Sequence, residues 1–577
     1  MKFDSTNFKN YETSRLDTYV EFLNRTQRYS YDDLPKHNID GLPIAIVRDK
    51  TTKRLEFGYS SDTHAVVVGA TRSGKTTGYI IPTIHGLARK KNKPSLFISD
   101  PKGELYSLTS NLLRTEGYRV LVLNFRDYLY SERWNPLLKI YDEYHKGLAF
   151  NPQIDSLTKK INEHGAKSPE GMKLVSKRRE LLIQKETKYD DAFTLAEELA
   201  NMIIVTAHTS DPYWEDSARE AFLMIVFGML EDSALSEKRL KELNRPVITR
   251  FNFNFKTVVE ILATISKCSE QRREIEWITK RVEGSNCLRL AANVINNAEN
   301  TRKCILGSLN TKLAPYKETT VRRVTEFNSF EIDDICESKE PVAIYVIYKD
   351  EQRTSYKAIT MFIGDLYAKL IEKATKLPNK KRDLPFYFIL DEFGNLPPIA
   401  DFDIVVSACG GRNIWFLIVV QSYAQLDRVY GAETGAIIRD NMNMCIFLGT
   451  NNSATKRAFS EECGKTIVLD PFSVMKTSNN AGPRKEIVNL IPVSTLSLIP
   501  SGECYITRIN EYPLATRIER SYLSSEFYNV QQAPISDYCP ARYGSDFDLS
   551  SSEDEESIDK ALNSLDEIYK NVKFEWQ

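Results

Sequence analysis

Gly69-Ala70-Thr71-Arg72-Ser73-Gly74-Lys75-Thr76 has the spacing G-x-x-x-x-G-K-[ST] of a phosphate-binding loop. Each residue type has a task there. The glycines let successive backbone N–H groups turn toward phosphate oxygens, and the amine of Lys75 reaches the β- and γ-phosphates. The hydroxyl of Thr76, with Thr77 beside it at the start of a helix, can ligate Mg²⁺, so the pattern points to ATP and Mg²⁺. A second group lies far along the chain. Phe386-Tyr-Phe-Ile-Leu-Asp391-Glu392 is an apolar run that delivers two carboxylates at its end, where open α/β sheets bind their ligands. Asp391 would hold Mg²⁺, directly or through water, and Glu392 would orient or deprotonate the water that attacks the γ-phosphate. Carboxylates at strand ends also cap helices or sit in solvated turns. Only the independent phosphate loop turns this pair toward catalysis.

Gln421 follows the run Ile414–Val420 and would present an amide either as a γ-phosphate sensor or as a simple cap. Arg412, in the turn Gly410-Gly-Arg-Asn413, is either a surface charge or an arginine finger that reaches a neighbouring subunit's site. Arg439 is a rival for that role. Asp100-Pro-Lys-Gly-Glu104 and Arg133-Trp-Asn-Pro136 also fall at loops of the active face. Pro101 and Gly103 read there as a turn, and Trp134 as a core anchor.

The elements that must position these residues are legible from hydrophobic patterning. His64–Val68, Ser95–Ser99 and Arg119–Phe125 are strand-like runs separated by helical stretches at Thr77–Arg89, where Pro82 predicts a kink, and Leu105–Thr115. That alternation implies right-handed crossovers and a parallel sheet. Strand signals then almost vanish until Val342–Tyr348, after which Phe386–Leu390, Ile414–Val420 and Cys445–Leu448 resume them. The expected fold is therefore α/β, with an all-α insertion over 151–340 between two parts of a nucleotide-binding domain, 61–150 and 341–525. Residues 1–60 are expected to form an N-terminal arm or small edge-strand layer, and 526–577 an acidic tail.

Composition sets outer limits. The chain has 577 residues, 42% apolar and 27% charged, as a folded protein of two to four domains would. Its 77 basic and 78 acidic side chains exclude a uniformly basic coat for nucleic acid. Ser545–Gln577 holds ten acidic and three basic residues, so the tail carries 3 − 10 = −7 and the body −1 + 7 = +6. Nine scattered cysteines and six scattered histidines have neither disulfide-framework nor zinc-site spacing. No apolar run approaches the roughly 18 residues of a spanning helix, and no signal peptide is visible. In the tail, Ile558, Leu562, Leu565, Ile568 and Val572 would share a helical face that suits partner docking, although a tail of this composition also simply solubilises. Lys177-Arg-Arg179, Arg272-Arg273 and Lys380-Lys-Arg382 are candidate phosphate contacts, but such runs are usually solvated faces.

Taken together, GATRSGKT, DPKGE, RWNPL, LDEFGNL and VVQSYAQL, in that order, resemble the type IV coupling proteins, the ATPases of conjugative DNA transfer. Pro212–Arg219 and Ser501–Ile506 extend the resemblance to about residues 60–525. It implies a RecA-like nucleotide-binding domain with an inserted all-α domain, assembled as a homo-hexameric ring. It also implies recruitment of a relaxase bound to single-stranded DNA, and hand-over to secretion-channel proteins. Lys75, Thr76, Asp391, Glu392 and Gln421 match the family's nucleotide-site positions, and Arg412 occupies the region of its finger. Many members begin with transmembrane helices and this sequence has none. That implies either a soluble variant recruited to the inner face of the membrane by a small membrane-anchoring partner, or a shortened chain. Two other readings remain open: a different hexameric DNA pump, and a substrate-docking receptor with a slow regulatory ATPase.

Overall fold

The computed structural model of the chain describes residues 14–16, 28–204, 212–267, 276–469, 485–528 and 531–540. The apolar face expected around Ile558–Val572 and the pair Arg272-Arg273 lie outside them. The described chain divides into two compact units, one of residues up to Arg126 together with Ile332–Tyr538, the other built on Asp127–Glu331.

The first unit begins with a small antiparallel sheet, β1 (Arg28–Ser30), β2 (Pro43–Arg48) and β3 (Leu55–Tyr59), in the order β1-β3-β2. Within the segment expected as an arm or edge layer, the described residues 28–59 thus carry a folded sheet. Its Tyr31, Ile44, Ile46 and Phe57 share a core with Tyr79 and Ile84 of the helical segment after the phosphate loop. Each such buried side chain is worth about 1.5–3 kcal/mol.

The main sheet contains β4 (Ala65–Gly69), β5 (Ser95–Asp100), β6 (Arg119–Asn124), β7 (Val342–Ile347), β8 (Phe386–Leu390), β9 (Ile414–Val420) and β10 (Met444–Gly449), all mutually parallel. β11 (Lys465–Leu469) and β12 (Lys485–Asn489) make a separate antiparallel pair. β13 (Glu503–Arg508) and β14 (Leu514–Arg517) extend one edge of the main sheet antiparallel, giving the order β14-β13-β10-β4-β9-β8-β5-β7-β6. Every residue of β4, β5, β7 and β8 is buried, as strands covered on both faces by crossover helices must be. β13 alternates buried with half-exposed positions instead. The first residues of the expected acidic tail also belong to this unit: Phe527, Ala533 and Tyr538 are buried in its core, and the Tyr538 hydroxyl accepts the Val122 N–H at 3.2 Å.

The second unit is all helical among the described residues. It covers Asp127–Glu331, against the expected 151–340, because the chain leaves the sheet directly after β6. Its centre is the helix Tyr213–Ser233, buried on all sides from Ala221 to Leu230. At that helix's end the buried Asp232 accepts hydrogen bonds from Arg245, Arg281 and the Trp277 indole. Trp134 is a core residue and the Asn135 amide bonds the carbonyls of Phe253 and Glu326, so this motif holds the helical unit together. The pair Lys177 and Arg179 is solvent-exposed.

Two histidines of the first unit are buried and neutral. His64 Nδ1 accepts the Phe416 backbone N–H at 3.0 Å, so its proton sits on Nε2. His85 bonds Tyr31 through Nδ1 at 2.9 Å. Burial pulls His64 down to about 4; burial and then the Arg89 charge pull His85 down to about 3. Both folded-state values lie below the ordinary 6.5, so on acidification the unfolded chain takes up protons that the native state refuses. Stability is accordingly full above pH 6.5 and falls toward pH 4, by up to about 1.4 kcal/mol per pH unit for each histidine. Urea unfolding midpoints at pH 7.5 and 5.5 should show this drop, and the His64→Asn, His85→Gln double variant should flatten it. An unchanged slope would remove the histidines as its cause.

Candidate functional site

Three neighbouring strands of the main sheet present the site at their C-terminal ends. β9 pairs with β4 on one side and β8 on the other. The phosphate loop leaves β4, the Asp391-Glu392 pair leaves β8, and Gln421 leaves β9 between them.

The loop turns at Arg72 (φ 68°) and Gly74 (φ 93°), and the second turn is left-handed backbone that glycine adopts without strain. The helix that follows opens with a wide π-helical stretch, Lys75–Ile80, before the α-helix Ile81–Ala88. Pro82 explains the expected irregularity. It has no N–H to close a regular turn, and it falls in the first turn of the α-segment, where that group is not needed. Lys75 is buried; its amine donates to the carbonyls of Gly69 (2.9 Å) and Ala70 (3.3 Å) and lies 4.0 Å from Glu392 Oε1. Ser73 Oγ is buried without a hydrogen-bond partner, a free polar atom facing a loop built to take anions.

Successive side chains of a strand point to opposite faces. The left-handed backbone at Glu392 (φ 51°) breaks that alternation where β8 ends, at a cost of about 1–2 kcal/mol for a non-glycine residue. Glu392 Oε2 accepts from Asn395 Nδ2 (3.2 Å) and from Gln421 Nε2 (3.3 Å). Gln421 is steadied in turn: its N–H donates to Gln425 Oε1 (2.8 Å) and its carbonyl accepts the Thr450 hydroxyl (2.8 Å). Gly394 makes room for this, since a Cβ there would sit 2.7 Å from Gln425.

Asp391 is buried, and its Oδ1 accepts the Glu392 N–H at 2.9 Å. Burial, followed by the neighbouring Glu392 charge, pushes its carboxyl up to about 7, against the opposing pull of that N–H and of Lys75. A carboxyl so placed gains strongly from a cation. Among the described residues no group of three or more His, Cys, Asp or Glu forms a protein-only metal cage. A magnesium–nucleotide site needs none, because phosphates and water supply most of its ligands. The free Ser73 hydroxyl, the Lys75 amine and the buried Asp391 fit such a group.

The structure brings together Lys75, Glu392 and Gln421, with Asp391 and Thr76 beside them. Arg412 is elsewhere. It precedes β9, at the opposite end of the strand from Gln421, and β9 alone spans roughly 20 Å at about 3.3 Å per residue. There its guanidinium donates to the Ala408 carbonyl at 2.7 Å and approaches the Thr375 hydroxyl at 3.5 Å. Arg439 is engaged within its own chain by Asp427 (2.6 Å) and the Tyr423 ring. Asp100 caps a helix, accepting the N–H groups of Gly103 and Tyr106 at 2.8 Å. Arg382 is buried, donating to the Cys336 carbonyl at 2.7 Å, so it is structural. The supports Asn395, Gln425 and Thr450 escaped the sequence reading: polar residues in the short helices and loops that follow strands carry no local sign of which strand end they will face.

A family model described as type IV secretory system conjugative DNA transfer matches residues 34–489. The chain is 20% identical over 422 residues to the protein VirD4 of Rhizobium radiobacter, covering 72% of this chain and 51% of that one. It is 21% identical over 445 residues to the conjugal transfer protein TraG of Escherichia coli, covering 74% and 59%. The chain therefore spans about half to three-fifths of the length of these relatives. Among solved structures it resembles the plasmid coupling protein TrwB in complex with ADP and Mg²⁺, with TM-score 0.54, 14% identity, and coverage of 88% of this chain and 94% of that one. It resembles the unbound TrwBdeltaN70 with TM-score 0.52, 15% identity and coverage of 86% and 93%. This likeness supports a RecA-like P-loop fold carrying a helical domain.

Proposed function

Since the chain belongs to the type IV secretory system conjugative DNA transfer family, we propose that it is a coupling ATPase that recruits relaxase-bound single-stranded DNA and drives or gates its entry into a secretion channel. The observation that carries this reading is the convergence of Lys75, Glu392 and Gln421 at adjacent strand ends, with Lys75 Nζ 4.0 Å from Glu392 Oε1. TrwB, whose fold the chain resembles, binds ADP and Mg²⁺, which supports the same ligands here.

In this reading the loop N–H groups and Lys75 bind the phosphates of ATP. Lys75 exchanges its bonds to the Gly69 and Ala70 carbonyls for phosphate oxygens. Thr76 and Asp391 hold Mg²⁺, which when bound neutralises phosphate charge. Glu392, oriented by Asn395 and Gln421, takes the proton of the attacking water. The Gln421 amide stands between carboxylate and loop and reports whether a γ-phosphate is present. Arg412 is too far along β9 to serve its own chain's site, which supports a ring in which it acts on the next copy. No helix among the described residues is long and apolar enough to cross a membrane; a small membrane partner at the inner face is the proposed anchor.

ATP turnover by the purified chain, with and without single-stranded DNA and across protein concentration, tests the reading. Turnover should rise with both, and Lys75→Ala should lower it by at least about 10²-fold, as loss of a preorganised charge donor does. Wild-type protein that binds ATP but never turns it over, with or without DNA, would hand the function to a docking receptor.

A further inference from the structure

The turn after β14 leans on the phosphate loop. A Cβ on Gly74 would lie 3.1 Å from Arg520 Nη2 and 3.2 Å from its Cζ, so the guanidinium rests against the loop's last glycine, where the helix begins. That end of a helix carries partial positive charge, and the Lys75 amine is nearby. A cation there needs an anion. Among the described residues no carboxylate lies within 4 Å of Arg520, and its side chain's one hydrogen bond is to the Tyr522 hydroxyl at 3.1 Å.

The position is nevertheless enforced. Arg48 of β2 donates to Glu519 on one side of the turn (3.1 Å), and to Ser524 (2.6 Å) and Glu526 (2.9 Å) on the other. The Glu519 N–H also donates to the Ile46 carbonyl at 2.8 Å. Arg48 holds the Glu526 carboxyl down at about 2, the mark of a firm pair. The four residues between these anchors close on themselves through the Leu523 N–H to the Arg520 carbonyl (2.9 Å). They leave Tyr522 53% exposed. A pinned turn thus presents a guanidinium to the phosphate loop and an aromatic ring to solvent beside it.

We infer that Arg520 and Tyr522 form the outer wall of the nucleotide site, Arg520 binding phosphate oxygens and the Tyr522 ring stacking on the nucleobase. The inference rests on the reading that the Gly69–Thr76 loop holds a nucleotide. An arginine fork matches phosphate oxygens; the Arg520 guanidinium bonds the tyrosine hydroxyl and lies 5.9 Å from the ring centroid, which fixes the ring while leaving it largely open to solvent. Stacking on an aromatic ring is available to any base. The ligand class is therefore nucleoside di- and triphosphates.

Calorimetric titration of ATP, ADP and inorganic tripolyphosphate into the full chain separates the two roles. Tyr522→Ala should weaken ATP and ADP about tenfold, within the range of base–aromatic stacking, and leave tripolyphosphate unchanged, while Tyr522→Phe stays near wild type. Arg520→Ala should weaken all three ligands. Ligand-free unfolding of these variants should stay close to wild type, since Tyr522 is largely exposed and the half-buried Arg520 makes no side-chain hydrogen bond among the described residues beyond the one to Tyr522. If both alanine variants bind ATP like wild type while Lys75→Ala does not, the wall is wrong and the nucleotide site stands. Equal loss of ATP and tripolyphosphate in Tyr522→Ala would also overturn the stacking role. If wild type binds none of the three ligands, or Lys75→Ala binds them unchanged, the nucleotide site itself falls.

Discussion

Glu392→Gln is expected to slow ATP hydrolysis by about 10²- to 10⁴-fold, the usual worth of a positioned general base, while ATP stays bound. The amide keeps the size of the side chain and an oxygen for the Asn395 and Gln421 donors, so the constellation should survive. What disappears is the basic oxygen that takes the proton of water. Binding should not suffer, because the phosphate-contacting groups lie on the loop and Lys75 loses only a carboxylate 4.0 Å away. Single-turnover hydrolysis with a parallel ATP titration checks both halves. A rate within tenfold of wild type would assign the proton to another group, and lost binding would make Glu392 a scaffold of the loop.

Arg412→Ala should cost about 10³-fold or more in turnover if the guanidinium acts as a finger. The structure makes this loss unusual in kind. Arg412 and Gln421 flank opposite ends of β9, so the arginine cannot reach the Lys75–Glu392 site of its own chain. Its present contacts, the Ala408 carbonyl and the Thr375 hydroxyl, are few and partly exposed, so little opposes its redirection toward a neighbour. The sharp form of the test is mixing. Arg412→Ala and Glu392→Gln subunits, each inactive alone, should regain activity together, because some interfaces then join an intact Glu392 to an intact Arg412. A mixture no faster than its components would remove the finger, and Arg439 could replace it only by giving up Asp427.

What the sequence makes legible follows from burial. The parallel strands are buried over most or all of their length, so each stands out in the sequence by a core of consecutive apolar residues. β13 and β14, one face half open at the sheet edge, have no such run and do not read as strands. The phosphate loop can be read because its residues are contiguous. By contrast, the meeting of Glu392 with Gln421 depends on β8 lying beside β9 in register, Leu390 opposite Ile418, which no local pattern encodes. The same holds for Asn395, Gln425 and the Arg520–Tyr522 turn. The early end of the first nucleotide-binding part, at Arg126, escapes for another reason: Leu138–Leu148 is as amphipathic as the helices of either unit, so composition does not say to which it belongs.

The clasp made by Arg48 also fixes an order of events during synthesis. Its partners Glu519 and Glu526 lie 471 and 478 positions farther along the chain. When β2 and the phosphate loop leave the ribosome, the turn that rests on Gly74 does not yet exist, and the whole helical unit must be made before it arrives. Contacts of such separation form late, because so long a loop must close first. The phosphate loop therefore spends that interval with its outer side bare, and it meets Arg520 only after the helical unit and the remaining strands of the main sheet have been made.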